Sequence, residues 1–131
     1  MSWQRDRADE NYRAGEIALA SGLPNAAASR LYYSLYHLAW HGLSAQGKSP
    51  AELQSQNHER WEHAFLTNNT RLVAMSLKLG QPRSRSFKEL FTTLCEQRVR
   101  ADYQATGAQT EVLEESLPRL RELLDQTKDL N

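Results

Sequence analysis

The segment from Asn25 to Ala45 constrains the fold most, because its apolar side chains recur at the three- and four-residue steps of an α-helix. It is the longest and most aromatic element of the chain, and Gly47 and Pro50 mark its end. Its apolar stripe consists of Ala28, Leu31, Leu35, Leu38 and Ala39. The pattern predicts a long helix with one face directed into a core.

The same apolar steps, interrupted by glycine, proline and asparagine, predict further helices on both sides of this segment. A third helix, starting near the N-cap candidate Asn57 and carrying Trp61 and Phe65 inward, is expected to break at Asn68 and Asn69. Pro118 predicts a kink or short break in the last helix. The other predicted helices are Ser2 to Ala20, Thr70 to Leu79, Ser84 or Ser86 to Tyr103, and Thr110 to Asp129.

No segment alternates apolar and polar residues for long enough to predict a strand, and no repeat of fixed length is evident. The length of 131 residues suits one domain, covering residues 1–131. The fold class is therefore predicted to be all-α, with the helices packed as an antiparallel bundle.

The chain has 16 Lys and Arg residues and 16 Asp and Glu residues, so its formal net charge is zero. This balance excludes an electrostatic field of the whole molecule that would attract nucleic acid or an anionic membrane. Any RNA site must then be a local patch. The single cysteine, Cys95, forms no intrachain disulfide and builds no thiolate cluster. Since no apolar run opens the chain or is long enough to span a bilayer, we expect a cytoplasmic protein without a membrane segment.

Three features of the chain resemble the HEPN family, small helical proteins named for nucleotide binding in higher eukaryotes and prokaryotes. The first is SRLYYSLYH, from Ser29 to His37, which follows a glycine-containing turn. The second is a lone histidine in a polar stretch, His58, and the third is Arg98 followed by Ala-Asp-Tyr ending at Tyr103. Their order and distances are similar to the compact stand-alone prokaryotic branch of that family.

The resemblance implies a four- or five-helix up-and-down bundle that pairs into a homodimer. Many HEPN members are metal-independent endoribonucleases of toxin-antitoxin or antiviral systems, with an Arg, four to six residues and a His contributed to a cleft between subunits. Arg30 and His37 have that spacing. The family usually carries the motif on a later helix, where Arg98 and Arg100 are followed by no histidine in this chain.

Arg30 and His37 have the chemistry that cleavage of a phosphodiester needs. Seven positions along a helix separate two residues by roughly 20° in azimuth and about 10 Å along the axis, so both share one face. Arginine grips phosphate, histidine transfers protons, and Tyr33 and Tyr36 nearby are suited to stacking on bases. The alternative is structural, with the two side chains bonded to carbonyls or to an acidic partner such as Asp102.

A second set of candidates for contact with RNA or a nucleotide comprises Arg98, Arg100 and Tyr103. Arg98 and Asp102 also have the spacing of an ion pair within one helix, so a scaffold role competes with phosphate binding. His58, at a predicted helix start, is a further candidate, because free amides at that end favour an anion.

No metal or cofactor is expected. His37 and His41 have the spacing of two zinc ligands on one helix, but no third ligand or adjacent acid lies at a suggestive interval. His58 and His63 are the histidines that could approach this pair in space. Histidines that match a metal site only in their spacing are usually ordinary core or surface residues.

Three functions remain open from the sequence. The first is a ribonuclease toxin or defence effector, with His37 moving protons and Arg30 or Arg98 on the phosphate. The second is a non-catalytic partner of a small nucleotidyltransferase or of an antitoxin protein. The third is a helical module that binds another protein through an apolar surface.

Overall fold

The computed structural model describes residues 2–54 and 59–130, and within these ranges every regular element is an α-helix. The all-α class predicted from the sequence is confirmed. In the described part of the chain, four helices are long and three are short. In chain order they are α1 (Trp3–Ala20), α2 (Pro24–Ala45), α3 (Pro50–Leu53), α4 (His63–Asn68), α5 (Thr70–Ser76), α6 (Arg83–Tyr103) and α7 (Thr110–Gln126).

A tight turn joins α1 and α2 into an antiparallel hairpin. The Ser2 hydroxyl caps α1 by accepting a hydrogen bond from the Arg5 amide at 3.1 Å. Gly22 takes the left-handed conformation, with φ of 75°, that lets the chain reverse after α1, and Pro24 opens α2. Across the hairpin, the Ser34 hydroxyl donates to the Ala8 carbonyl at 2.7 Å.

Helix α2 lies at the centre of the core and contacts α1, α5, α6 and α7. Every member of its predicted apolar stripe is fully buried, so the helical register inferred from the sequence is confirmed. Buried apolar side chains of α6 and α7 pack against this stripe. They include Phe87, Leu90, Phe91 and Leu94 of α6 and Leu113, Leu120 and Leu124 of α7.

Polar contacts fix how the last two long helices run. The Gln97 amide of α6 donates to the Gln109 side chain beside the start of α7 at 2.9 Å. Nearer the other end of the pair, Arg119 donates to the Ser86 carbonyl at 3.3 Å, so α6 and α7 are antiparallel. The largely buried Arg5 guanidinium ties α1 to the end of α7 through the Leu124 carbonyl at 2.7 Å.

The third predicted helix differs from the structure. Its proposed start at Asn57 lies outside the described residues, but residues 59–62 are not helical and α4 begins only at His63. The Tyr36 phenol donates to the Trp61 carbonyl at 2.5 Å. In a helix that carbonyl would instead accept a hydrogen bond from a backbone amide of the same helix. Trp61 is buried as predicted, but from a non-helical segment. The expected break at Asn68 and Asn69 is confirmed.

Helix α7 runs through Pro118 as one element, so the short break, one of the two alternatives predicted there, is absent. The Pro118 ring leaves the Glu114 carbonyl without a helical donor, and both residues are exposed. The helix ends at Gln126, three residues before the predicted Asp129. None of the helices in the described ranges combines the length and apolar character that crossing a bilayer requires.

Candidate functional site

A cavity of about 520 Å³ opens between α2 and the segment that leads into α4. Aromatic rings form much of its wall, and one arginine and two imidazoles stand among them. The lining residues are Tyr33, Tyr36, His37, Trp40, Arg60, Trp61, Glu62 and His63.

The α2 side of the cavity follows from helical spacing. Tyr33, Tyr36, His37 and Trp40 recur at steps of three and four and so share one face, beside the apolar stripe that faces the core. Their rings pack on one another, with Tyr33 and Tyr36 centroids 5.9 Å apart and Tyr36 and His37 centroids 5.3 Å apart. Edge-to-face contacts of this kind hold the rings in defined orientations.

The opposite side is held in place by three anchors. Trp61 is 1% exposed and pins the segment to the core, while its carbonyl accepts the Tyr36 phenol. The Gln54 side chain donates to the Arg60 carbonyl at 3.0 Å and accepts from the Glu62 amide at 2.7 Å. These contacts fix the backbone on both sides of Trp61 and leave the Arg60 side chain exposed at the cavity.

His37 is neutral in the cavity wall at neutral pH. Burial, with a smaller contribution from the Arg7 charge, holds its pKa below the ordinary value for histidine. Its ring stacks on Trp40 at a centroid distance of 6.2 Å, and Trp3 meets it at 5.9 Å. Nδ1 is buried and has no hydrogen-bond partner within the described part of the chain. A neutral imidazole of this kind is able to accept a proton.

His63 faces the same cavity from the first turn of α4 and is held by Tyr32. The phenol of Tyr32 and Nδ1 of His63 form a short hydrogen bond. Burial raises the pKa of Tyr32 well above its usual value, so the phenol keeps its proton. Burial also lowers the pKa of His63, and the charges of Arg98 and Arg60 add to that effect. We therefore assign the neutral tautomer that accepts at Nδ1 and carries its hydrogen on Nε2.

Arg98 lies behind this pair and does not line the cavity. Its guanidinium stands over the Tyr32 ring, 4.9 Å from the centroid, and pairs with Asp102 at 3.6 Å. The predicted ion pair within α6 is thus present. The Nε of Arg98 is buried without a partner in the described residues. Arg98 reaches the cavity only through Tyr32 and through its charge on His63.

The structure separates the sequence candidates into two groups. Tyr33, Tyr36 and His37 line the cavity. Arg30, on the same face of α2, instead turns toward α1, where its guanidinium donates to Asn11 at 3.4 Å. The remaining candidates are elsewhere: Arg100 donates to the Gly107 carbonyl at 3.1 Å, Tyr103 is 79% exposed at the end of α6, and His58 lies outside the described residues.

Arg60 and the Tyr32–His63 pair are the parts of the site that sequence reasoning missed. His63 stood out only as one of several histidines, and Arg60 matched no motif. Both reach the cavity because residues 59–62 leave the helical path and fold back on α2. No local pattern signals that path, since it depends on Tyr36 and Gln54 meeting the segment from other elements.

His41 belongs to a different part of the molecule. Its Nδ1 bonds to the Ser2 hydroxyl at 2.5 Å and its Nε2 lies 3.0 Å from the Leu130 carbonyl. Both ring nitrogens are therefore engaged, so His41 does not act with His37 as a pair of ligands. Among residues 2–54 and 59–130 no group of three histidine, cysteine or acidic side chains is placed to hold a metal ion.

A larger groove of about 800 Å³ runs between α1 and α7, but its charges cancel. Arg5 pairs with Asp9 at 3.3 Å, and Arg121 pairs with Asp125 at 3.5 Å. Such self-paired, mostly exposed charges offer no ligand a net field. The smaller cavity also carries one charge of each sign, Arg60 and Glu62, but it differs because aromatic faces and two neutral imidazoles accompany the exposed arginine. That combination fits a ligand with an anionic group and a flat ring.

Family models, curated proteins and solved structures were compared with the chain, and none matches it.

Proposed function

We propose that this chain is a cytoplasmic, HEPN-type dimeric protein that binds RNA or a nucleotide in the cavity between α2 and α4, in a toxin-antitoxin or antiviral defence system. The observation that carries the proposal is the composition of the cavity wall. Tyr33 and Trp40, both partly exposed, supply faces on which a base stacks, while Arg60 supplies a cation for phosphate. Tyr36, which is 5% exposed, packs against both rings. The four long helices and the Arg30–His37 spacing support the HEPN assignment.

The roles within the cavity follow from charge and tautomer. Arg60 is the exposed cation at the rim, so it meets the phosphate. His63, with its hydrogen on Nε2, donates to an acceptor on the ligand. His37 is neutral and accepts a proton, which is what the 2′-hydroxyl of RNA must lose if the bound strand is cleaved without a metal.

The test is a binding and cleavage assay on the purified protein with a 5′-mononucleotide and with single-stranded RNA in EDTA. Binding is expected for wild type, and Arg60→Ala is expected to weaken it roughly 10- to 100-fold, the effect of losing a hydrogen bond to a charged group. Arg85→Ala, which removes an exposed arginine from α6, is the matched control. Binding that is absent, or equally affected by both variants, contradicts the proposal.

The same assay separates a nuclease from a binding protein. Cleavage in EDTA that both Arg30→Ala and His37→Ala abolish assigns these residues to a metal-independent endoribonuclease reaction. Loss of cleavage in His37→Ala alone assigns the proton transfer to His37 and removes Arg30 from the chemistry. Intact RNA throughout, with binding retained, leaves a non-catalytic RNA- or nucleotide-binding protein.

The second candidate is a partner subunit of a small nucleotidyltransferase or of an antitoxin protein, or more generally a helical interaction module. Exposed apolar side chains favour it, because Ile17 is 60% and Leu23 is 56% exposed around the α1–α2 turn. Co-purification from the native host is the discriminating measurement. A stable complex that Ile17→Glu and Leu23→Glu disrupt, together with no binding of RNA or nucleotide, supports this candidate.

A further inference from the structure

The aromatic surface does not stop at the cavity, because the N-terminal end of α1 extends it beyond His37. The Trp3 ring lies 4.9 Å from Trp40 and 5.9 Å from His37, and both of those residues line the cavity. Trp3 itself is not a cavity residue and is 50% exposed. An aromatic face therefore continues from the cavity to the outer surface of the α1–α2 hairpin.

Cations accompany this outer aromatic face. The Arg7 guanidinium lies 5.9 Å from the centroid of the Trp3 ring. One turn further along the same seam of the hairpin, Arg30 donates to Asn11. Among the acidic residues near Arg7, Asp9 pairs with Arg5, Glu10 lines the groove beside α7, and Asp6 is exposed in the first turn of α1. Arg7 and Arg30 thus place two cations along this seam in a chain of zero net charge.

The dimensions exceed what one nucleotide occupies. Arg30 and His37 are separated by about 10 Å along α2, and Arg60 is a further cation at the cavity that His37 lines. Cations at the cavity and beside Trp3 match the alternation of phosphates and bases along an unpaired strand. A duplex does not fit this arrangement, because its bases are stacked on each other and do not offer their faces.

We propose that the ligand is a single strand of RNA several nucleotides long, which runs from the cavity across His37 onto Trp3 and Arg7. One base occupies the cavity, a neighbouring base stacks on Trp3, and Arg7 and Arg30 contact phosphates outside the cavity. This inference rests on the proposed function, since it specifies the substrate class of the same site. It also gives Arg30 a role in holding the strand, away from the cavity.

The experiment compares ligands of increasing length by calorimetry or fluorescence anisotropy. The ligands are adenosine 5′-monophosphate and oligoadenylates of two, four and six nucleotides, with a blunt RNA duplex as a further arm. For wild type, affinity is expected to rise with the length of the single strand and to be weaker for the duplex. Trp3→Ala is expected to weaken hexamer binding roughly 5- to 150-fold, the range for losing one stacked base, and to leave the mononucleotide affinity unchanged.

Two further variants keep the test independent of any local change around Trp3. For the hexamer, log affinity falls as log salt rises, and Arg7→Gln is expected to make this negative slope shallower by about 0.7. That is the value for one phosphate contact on a single strand. Ile17→Ala removes an exposed apolar side chain from the other end of α1 and should change neither ligand's affinity.

The outcomes separate this inference from the proposed function. A mononucleotide that binds as tightly as the hexamer, or a Trp3→Ala effect that is equal for both, overturns the path across α1 and leaves the cavity as a nucleotide site. Duplex binding as tight as that of the single strand also overturns the path. Failure of every ligand to bind overturns the proposed function, and the path with it.

Discussion

The phenol of Tyr32 donates a hydrogen bond to Nδ1 of His63 and so sets the tautomer of an imidazole that lines the candidate site. Tyr32 is fully buried and is packed under the Arg98 guanidinium, which gives its hydroxyl a fixed position. A histidine fixed through one nitrogen presents the other in a defined state. Tyr32 is therefore a positioning residue that acts on a ligand only through His63.

Tyr32→Phe is expected to release this control at little cost to the fold, because the ring is retained. Without the donor, the neutral form of His63 is less favoured, so its pKa should rise relative to wild type. The ring should also become a mixture of two tautomers. Nitrogen-detected NMR of the imidazoles measures both properties. Tyr36→Phe is the control, since that phenol donates to a carbonyl. An unchanged pKa and tautomer in Tyr32→Phe contradict the assignment.

Stability is expected to fall as the pH is lowered from 7.5 to 5.5. Burial lowers the pKa of His37, His41 and His63 in the folded protein. The unfolded chain therefore takes up protons near the ordinary histidine pKa of about 6.5, whereas the folded chain does so only at lower pH. The loss begins as the pH falls through the unfolded value, and each group contributes at most about 1.4 kcal/mol per pH unit.

Urea unfolding at several pH values measures this dependence. His37→Phe keeps a flat ring against Trp3 and Trp40 and removes one titrating group, so its slope should be shallower than that of wild type. Equal slopes in the two proteins, or stability that rises on acidification, contradict the burial of His37 in neutral form.

Gly15→Ala is expected to destabilise the α1–α2 hairpin. A Cβ at this position would stand 2.6 Å from Cδ2 and 2.8 Å from Cγ of Leu31, which is itself fully buried. Overpacking of this kind costs about 1–3 kcal/mol, against which alanine gains about 0.5–1 kcal/mol of helix propensity. The free energy of unfolding should fall. Gly80→Ala, with nothing within 4 Å, should stay close to wild type. Stabilisation by Gly15→Ala contradicts the close packing.

Arg98 and Asp102 should contribute unequally to stability. Asp102 is 43% exposed at its side chain, and an ion pair of this spacing on a helix surface contributes about 0.3–0.5 kcal/mol, so Asp102→Asn should have a small effect. Arg98 is 19% exposed and covers the Tyr32 ring, so Arg98→Met should cost more and should also raise the pKa of His63. Chemical denaturation and histidine NMR test both effects. Equal costs for the two variants contradict this division.

Much of the fold was predictable because helical periodicity survives without tertiary context. The buried stripe of α2 and the break after Asn68 follow from local spacing and turn residues. The path of residues 59–62 was not predictable, since it is set by the Tyr36 phenol and the Gln54 side chain, which arrive from elsewhere in the sequence. Whether α7 breaks at Pro118 was not predictable from the sequence alone, because a proline inside a helix is compatible with either a kink or a break.

Only part of the candidate site was predictable from the sequence, for the same reason. Tyr33, Tyr36 and His37 belong to one helix face, so spacing alone groups them. Arg30 belongs to that face too, but spacing does not reveal that a neighbouring helix offers it Asn11 as a partner. Arg60 and His63 join the cavity through tertiary packing, which no interval in the sequence encodes.

The most direct test of the cavity as a nucleotide site is to follow the imidazole resonances during titration with a 5′-mononucleotide. His37 and His63 line the cavity, whereas His41 has both ring nitrogens bonded to Ser2 and Leu130 and serves as a control within the same sample. The resonances of His37 and His63 are expected to shift together along one saturable curve while His41 stays in place. Unchanged His37 and His63 resonances, or an equal shift of His41, would contradict the cavity as the binding site.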